Sequence, residues 1–363
     1  MDAQSSSITN HESSDIFSGN LYIFYAFDVG DDIELEKIKK SADITVLPLS
    51  LPKYFKHYHV PLAVELPHPH QTSNCIMAKI HSFGVVSITY KIPFESTLDE
   101  VKESINTIYN RYQEQSISDA HSIYKKIINF TKQSRFFHLK TAYLVIQVDA
   151  KEKSINVSSM KKKYGGTIAS MLRFETESLS EVKKNEILET SIGYYRGDMI
   201  VIDSEAAFVY DKEYQDTLDL FEFANIQQLE LQYFDKILAQ QLDFIYERKV
   251  KPLPFKAYLP FIGERLYNPV GDLGKLKVDI SVITEQLEGS IKLAGETYFS
   301  ELYALLNEEM GLVSWKESIA NKLSIIKDIG TVYQNNIENI REDILSTLII
   351  LLIAIELIIG LTK

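Results

Sequence analysis

The segment ILSTLIILLIAIELIIGL, from Ile344 to Leu361, governs the organisation of the chain, because its apolar side chains would cover every face of a helix. A helix in water keeps a polar stripe along one side. The 18 residues would rise about 27 Å, close to the roughly 30 Å hydrocarbon core of a bilayer. We therefore expect one C-terminal transmembrane helix, with the rest of the chain in water. Burial of this helix inside a soluble oligomer is the alternative.

Glu356 interrupts the apolar run. A carboxylate within a bilayer is costly, and a single helix cannot shield it. Protonated Glu356 can hydrogen-bond to a neighbouring helix, or it can face a polar lumen shared by several copies. Both arrangements predict a homo-oligomer or a membrane protein partner, with Ile349 and Ile353 beside Glu356 in the contact. Snorkelling of Glu356 toward the far headgroups is the alternative.

The start of the chain carries no targeting signal. Residues 1–19 contain no Lys or Arg and no apolar segment, so we expect a disordered tail and neither a secretory signal nor a transit peptide. A single cysteine, Cys75, fits a reducing compartment. Lys327 and Arg341 before the apolar segment, against Lys363 after it, agree with a cytoplasmic body. These features predict a single-pass protein of the inner (cytoplasmic) membrane.

The overall charge opposes binding to nucleic acids. The chain of 363 residues has a formal net charge of -12 and a pI near 5.3, so its average field repels phosphate groups. The one basic run is Lys161–Lys163, followed by Gly165 and Gly166. A run of this kind is typical of a solvated turn, so we predict no direct contact with nucleic acid.

Residues 20–210 mix strand and helix signals. The run LYIFYAF, Leu21 to Phe27, is rich in residues that favour strands, and Thr141–Val148 shows the same preference. Phe83-Gly84 is placed as the bend of a hairpin, and Pro93 as its end. Because adjacent strands are interleaved with helices, an α+β domain is favoured over a doubly wound α/β fold.

Two successive helices are predicted inside this domain. Thr97 is placed to cap the first helix, which starts at Leu98. A second helix is predicted from Ser118 to about Thr131.

After Tyr210 the pattern predicts long antiparallel helices, a coiled-coil-like stalk over residues 211–343, before the transmembrane helix at 344–361. Asp211–Lys249 lacks Pro and Gly, and the connector that follows contains four prolines. A last helix is predicted from near Ser314 into the membrane segment. An apolar stripe that recurs every 11 residues predicts a helix packed along its whole length. The stripe consists of Leu276, Ile280, Ile283, Leu287, Ile291, Ala294, Tyr298, Leu302 and Leu305.

Catalytic and cofactor motifs are missing from the sequence. It contains no Gly-rich phosphate loop, no GxGxxG, no GxSxG, no HExxH and no paired CxxC. We therefore expect no cofactor and no enzymatic activity.

A histidine cluster is a candidate metal site. His57 with His59 and His68 with His70 form two HxH pairs, and His81 and Cys75 follow. An HxH pair on a strand directs both imidazoles to one side, as a metal site could use. The spacing fits no standard zinc module, and an exposed turn is the alternative.

A group of carboxylates occurs in RGDMIVIDSEAAFVYD, residues 196–211. Asp198 and Asp203 are the candidate pair for acid–base chemistry if strand alternation brings them to one site. Carboxylates at strand ends and turns are the alternative interpretation.

Three stretches carry a family resemblance. They are SIGYYRGDMIVIDSEAAFVYD (191–211), LDLFEFANIQQLELQYFD (218–235) and IILLIAIELIIGL (349–361). In them the chain resembles the required-for-meiotic-nuclear-division family, which carries a domain of unknown function. The resemblance implies an oligomeric, membrane-anchored factor that supports translation, with ribosome tethering as its role and no established catalytic residues. Asp343-Ile344-Leu345 stands where relatives often carry Leu-Glu-Trp.

The leading hypothesis is a non-enzymatic, self-associating scaffold or tether on a membrane, with an unidentified protein partner. A subunit of an oligomeric channel or transporter is the second hypothesis, because Glu356 could line a lumen. An enzyme that uses Asp198 and Asp203, or a metal in the His57–His81 cluster, is the third.

Overall fold

A computed structural model describes residues 15–50, 60–67, 74–136, 139–150, 155–249, 278 and 297–361. Eight strands form one sheet in the order β3-β4-β5-β1-β7-β10-β9-β8, and β2 pairs with β6 in a separate ladder. Neighbours are antiparallel except for β7 and β10, which are parallel. The strands are β1 Phe17–Asp28, β2 Asp31–Ile33, β3 Leu62–Val64, β4 Cys75–Ile80, β5 Val85–Ser96, β6 Thr131–Lys132, β7 Lys140–Asp149, β8 Ser191–Ile192, β9 Met199–Ile202 and β10 Ala206–Asp211.

The helices alternate with these strands and then dominate the C-terminal part, which confirms the α+β class. The helices are α1 Leu35–Lys39, α2 Leu98–Ile127, α3 Val157–Leu172, α4 Glu181–Glu189, α5 Gln215–Lys249, α6 Thr297–Glu309 and α7 Leu312–Leu361. By its contacts the chain divides into two units, Met1–Leu229 with Ser290–Leu312, and Glu230–Gly289 with Val313–Lys363. The first unit contains the sheet.

Strand β1 lies inside the sheet and is buried on both faces. Ile23 and Tyr25 point to the same face, toward the core shared with α2 and α3. Ala26 points to the opposite face, where it packs with Ile226 and Leu229 of α5. A strand covered on both faces reads as a continuous apolar run, which is why LYIFYAF shows little alternation.

Helix α2 is a single helix of 30 residues, so the prediction of two helices is wrong. Its start at Thr97 is confirmed, because Thr97 and Glu100 form a reciprocal capping box. At the predicted break, Ser116 donates to the Gln113 carbonyl within the helix. Buried residues on both sides of that point form one continuous face, and they include Ile105, Tyr112, Ala120 and Ile123. The packing of this face overrides the capping preference of serine.

The run Lys161–Lys163 lies within α3, so the predicted turn is wrong. Gly165 is helical as well, and a Cβ placed there would lie 2.7 Å from Leu188 Cδ1 of α4. This glycine therefore allows two helices to approach closely and does not mark a turn.

The hairpin of β4 and β5 is confirmed, but Pro93 does not end it. Strand β5 continues to Ser96, and Pro93 pairs with Asn20 of β1. The pairing of β4 with β5 ends at Tyr90, so at Pro93 the edge of β5 that faces β4 is unpaired with that strand. Proline is tolerated at such an edge because no ladder hydrogen bond is required of its nitrogen.

Helix α7 contains 50 residues and is about 75 Å long. It begins at Leu312, close to the predicted Ser314, and continues without interruption into the apolar segment, as predicted. From Glu338 to Leu361 it is long and apolar enough to cross a membrane, and none of its most apolar window is buried. In the second unit, Asp235 of α5 accepts hydrogen bonds from Ser318 and Lys322 of α7.

Candidate functional site

A cleft of about 710 Å³ lies in the first unit, at the meeting point of four segments. These are the turn between β8 and β9, the end of β10, the start of α5 and the start of α6. The volume falls within the range of small-molecule sites, roughly 300–1,000 Å³. Its lining combines aromatic rings with carboxylates, and the turn between β8 and β9 supplies both kinds.

Four aromatic rings form a connected cluster along the cleft. The Tyr194 and Tyr195 rings lie 4.7 Å apart and nearly perpendicular, and Tyr194 is also 5.2 Å from Tyr298, with edge-to-face geometry. Tyr298 continues the contact to Phe299 at 5.3 Å. Tyr194 is 63% exposed and Tyr195 is 65% exposed. Large aromatic side chains at such exposure leave ring faces available to a ligand.

Four carboxylates lie around the same cleft: Asp198, Asp211, Glu213 and Asp216. Asp198 Oδ2 accepts the Tyr195 N–H at 3.0 Å, which fixes the turn that carries the two tyrosines. Asp211 is buried, and its Oδ1 accepts the Glu213 N–H at 2.9 Å. Among the described residues that line the cleft, Lys212 is the one cation, and it is exposed. The lining therefore carries a net negative charge.

The inner end of the cleft has an unusual electrostatic environment. Burial raises the pKa of Asp211, and the charge of Asp198 raises it further. Burial, followed by the charges of Asp211 and Asp198, also raises the pKa of the Tyr298 phenol. The Tyr298 hydroxyl is inaccessible to solvent and has no hydrogen-bond partner among the described residues. A buried hydroxyl without a partner is energetically unfavourable, and a ligand could satisfy it.

Asp203 is remote from this cleft. The four residues of β9 separate it from Asp198, an extended distance of about 16 Å. Asp203 is buried, and its Oδ2 lies 2.6 Å from Arg173 Nε. Its N–H donates to the Ala206 carbonyl in the hairpin, and its carbonyl accepts the Tyr143 hydroxyl. The structure thus gives Asp203 a place in the β9–β10 turn and does not bring the two carboxylates together.

A second polar cluster lies between the sheet and α5. Lys79 of β4 and Ser87 of β5 are cross-strand partners that point to α5. The Glu222 carboxylate contacts both side chains. Its Oε2 lies 2.6 Å from Lys79 Nζ, and its Oε1 accepts a hydrogen bond from the Ser87 hydroxyl at 2.7 Å. Asp219, one turn earlier, lies 3.5 Å from Lys79, and His81 Nε2 lies 3.5 Å from the Ser87 hydroxyl.

Burial and charge pairing oppose each other in this cluster. Burial favours a neutral Glu222, but Lys79 and the Ser87 hydroxyl outweigh it and lower the Glu222 pKa. The pKa of Lys79 is raised by both carboxylates against the effect of burial. Burial lowers the pKa of His81 to about 3 and raises that of Asp219 to about 6. The cluster is almost closed to solvent, so it suits a structural clamp better than a substrate site.

The predicted metal ligands His57, His59, His68 and His70 lie outside the described residues. His81 is described and buried, and Cys75 is half-buried, with a pKa that burial raises to about 12. Within the described ranges, no three His, Cys, Asp or Glu side chains are grouped as a metal site.

The structure describes only part of the predicted packing stripe, together with the predicted contact residues of the membrane helix. Leu302 of α6 is fully buried, Tyr298 and Leu305 are partly buried, and Leu276, Ile280, Ile283, Leu287 and Ile291 lie outside the described residues. Glu356, Ile349 and Ile353 are exposed on α7. Ile349 is 56% exposed and Ile353 is 53% exposed. Soluble proteins rarely expose apolar side chains in contiguous groups such as this one.

Sequence reasoning missed the aromatic cleft. Tyr194 and Tyr195 form an adjacent aromatic pair next to a glycine in a turn, and such a pair in an exposed turn is itself a signal for binding. Tyr298 was assigned to the packing stripe of the helix. No local pattern connects it with Tyr194, because the two meet only through the fold.

Comparison with known proteins places this domain in context. The model of the family "Uncharacterized protein MJ0711, N-terminal domain" matches residues 18–217. Uncharacterized protein MJ0711 of Methanocaldococcus jannaschii is 25% identical over 207 residues, which cover 56% of this chain and 62% of that relative. The match therefore spans less than two thirds of the relative's length. No solved structure matches. The matched residues include Tyr194, Tyr195, Asp198 and Asp211 of the cleft.

Proposed function

Because the chain belongs to the MJ0711 N-terminal domain family, whose matched member is itself uncharacterized, we propose its function from its own features: it is a non-enzymatic, self-associating tether anchored in a membrane. Helix α7 provides the anchor, and the α+β unit provides recognition of a partner. One observation carries this proposal, namely that no residue in the most apolar window of α7 is buried.

The free energy of this exposed segment supports an anchor. Twelve Leu and Ile side chains between Leu345 and Leu361 are each 45–81% exposed. Full burial of one such side chain contributes about 1.5–3 kcal/mol, so the segment gains on the order of 10 kcal/mol when an apolar medium covers it. The 18 apolar residues from Ile344 to Leu361 rise about 27 Å, close to the thickness of a bilayer core of roughly 30 Å.

Self-association follows from Glu356. Ile349, Ile353 and Glu356 follow one another along α7 at spacings of four and three residues, so they lie on the same face of the helix. A copy of the same helix offers both an apolar surface and a second carboxyl for hydrogen bonding. The inner (cytoplasmic) membrane, with the body in the cytoplasm, is the proposed location.

The non-enzymatic character is supported by the placement of the candidate catalytic groups. Asp198 and Asp203 are at opposite ends of β9, and the cluster around Lys79 is almost closed to solvent. The cleft beside Tyr194 is the accessible polar site and serves as the recognition surface. The resemblance to the required-for-meiotic-nuclear-division family suggests ribosome tethering as one form of this function.

Thiol labelling tests the membrane anchor. In a Cys75→Ser background, Leu352→Cys and Val332→Cys each introduce one thiol on α7 at a site that is exposed in the isolated chain, 63% and 49% respectively. We expect a membrane-impermeant maleimide to label Val332→Cys in membranes but to label Leu352→Cys only after detergent is added. Equal labelling of both thiols in intact membranes would contradict the proposal.

A further inference from the structure

The acidic aromatic cleft beside Tyr194 has a composition that selects a particular ligand. Anions are disfavoured, because four carboxylates and one exposed lysine line it. A bare metal ion is also disfavoured, because the carboxylates are spread around the cleft and form no metal-ligand group within the described residues. A cavity of about 710 Å³ has room for a group much larger than an ion.

Aromatic rings and carboxylates together recognise organic cations. Ring faces attract ammonium and guanidinium groups through the quadrupole of the ring, and carboxylates add charge-assisted hydrogen bonds. The edge-to-face contacts of Tyr194 with Tyr195 and Tyr298 hold the rings at steep angles to each other, so that they form the walls of a cage. Two of these rings remain more than half exposed, which leaves their faces open to a ligand.

The inner end of the cleft provides an independent indication of a ligand. The Tyr298 hydroxyl is inaccessible to solvent and unpaired among the described residues. Tyr298 lines the same cleft as Asp198 and Asp211. A hydroxyl oxygen and two carboxylates are all acceptors, and a ligand that carries several N–H donors can satisfy them together.

We propose that this cleft binds an organic cation of the alkylammonium or guanidinium class, held between the tyrosine rings and the carboxylates of Asp198 and Asp211. The cation is either a free polyamine or a Lys or Arg side chain on a partner segment. This inference rests on the proposed role of the α+β unit in recognition, and it assigns the chemistry of that recognition.

Calorimetric titration of the full chain in detergent micelles tests the proposal. The probes are spermidine, a tetralysine peptide, and the same peptide with its side-chain amines acetylated. We expect spermidine or tetralysine to bind and the acetylated peptide not to bind. Tighter binding of spermidine identifies a free polyamine as the ligand, and tighter binding of tetralysine identifies a protein segment.

Variants locate the binding. Tyr194→Ala removes an exposed ring and should weaken binding about threefold to tenfold, whereas Tyr194→Phe keeps the ring and should retain it. Asp198→Asn removes a charge but keeps an acceptor for the Tyr195 N–H, and it should weaken binding by a similar factor. Glu181→Gln, an exposed carboxylate on α4 outside the cleft lining, is the matched control and should bind as the native chain does.

Two results would overturn the proposal: neither cation binds the native chain, or Tyr194→Ala and Asp198→Asn bind as tightly as the control. Vesicle association of Tyr194→Ala is measured in parallel, and we expect it to be unchanged. A failure of cation binding with intact membrane association therefore refutes the ligand class while leaving the membrane tether in place.

Discussion

Lys79 Nζ lies 2.6 Å from Glu222 Oε2, which joins the second strand of the sheet order, β4, to helix α5 across 143 residues of sequence. Both side chains are buried, and the Ser87 hydroxyl donates a hydrogen bond to the other carboxylate oxygen of Glu222. This ion pair fixes the register of α5 on one face of the sheet. The same helix begins at the aromatic cleft, so its placement also determines the position of the cleft's acidic rim.

Removal of one partner of this pair should be strongly destabilising. Lys79→Met leaves Glu222 buried without its cation, and we expect a loss of about 3–5 kcal/mol in the free energy of unfolding. The double variant Lys79→Met/Glu222→Met removes both charges and should recover most of that loss. Denaturant unfolding of the full chain in detergent measures both values. A double variant no more stable than Lys79→Met would argue against the pairing.

His81 should contribute a destabilisation of the first unit in acid, whereas Asp219, whose pKa burial raises to about 6, contributes in the opposite sense. Burial lowers the pKa of His81 to about 3 in the folded chain, whereas an unfolded histidine titrates near pH 6.5. For this group the unfolded state binds the proton more strongly, and the contribution of His81 to stability falls as the pH decreases from about 6.5 toward 3. The loss down to pH 4 is about 3 kcal/mol.

His81→Gln should remove the contribution of His81, so the free energy of unfolding of this variant should decrease less on acidification than that of the native chain. His121→Gln, which changes a half-buried histidine on α2, is the matched control and should keep that contribution. Unfolding measured at a series of pH values compares the two variants with the native chain. Identical pH profiles for His81→Gln and the native chain would refute the assignment.

The hairpin between β4 and β5 depends on Gly84. Its φ is +106°, and a Cβ at this position would lie 1.7 Å from the Gly30 carbonyl oxygen. Gly84→Ala must therefore displace backbone, and we expect a loss of at least about 2 kcal/mol in unfolding free energy. Gly197→Ala is the control, because nothing lies within 4 Å of a Cβ there. Equal stability of the two variants would show that this close approach is not formed.

Glu356 should control self-association in the membrane helix. Glu356→Leu removes the hydrogen-bonding carboxyl, and we expect the mass of the full chain in mild detergent to fall toward that of a monomer. Glu356→Gln keeps a donor and an acceptor and should preserve the oligomer. Light scattering that corrects for bound detergent gives the masses. A native chain that is monomeric under these conditions would contradict self-association through this residue.

The sequence predicted the features that depend on local pattern. The strand at LYIFYAF, the helix cap at Thr97 and the continuous C-terminal helix follow from strand propensity, capping chemistry and the lack of proline, and all three are present. The errors arise where packing overrides a local preference. Ser118 resembles a cap, but the buried face of α2 continues past it, and Gly165 resembles a turn residue, but it serves close helix packing against Leu188.

The candidate site was less accessible to sequence reasoning. The contact of Tyr194 with Tyr298 joins a strand turn to a helix that follows a long intervening segment, and no spacing rule relates them. Lys79 and Glu222 are even farther apart in sequence, by 143 residues. Carboxylates near Asp198 were identified, but Asp198 was paired with Asp203 as the candidate for acid–base chemistry, whereas the fold places Asp198 with Asp211 in the cleft.

Flotation of the full chain with lipid vesicles in a density gradient tests the membrane anchor most directly. Ile349→Lys/Ile353→Lys places two charges in the apolar segment, each costing about 2.5–3.5 kcal/mol at the centre of a bilayer. Ile325→Lys/Val332→Lys is the matched control, with similar exposure on the same helix outside that segment. We expect the native chain and the control to float with the vesicles and Ile349→Lys/Ile353→Lys to remain at the bottom. A native chain that stays at the bottom, or equal flotation of all three proteins, would contradict a membrane anchor in α7.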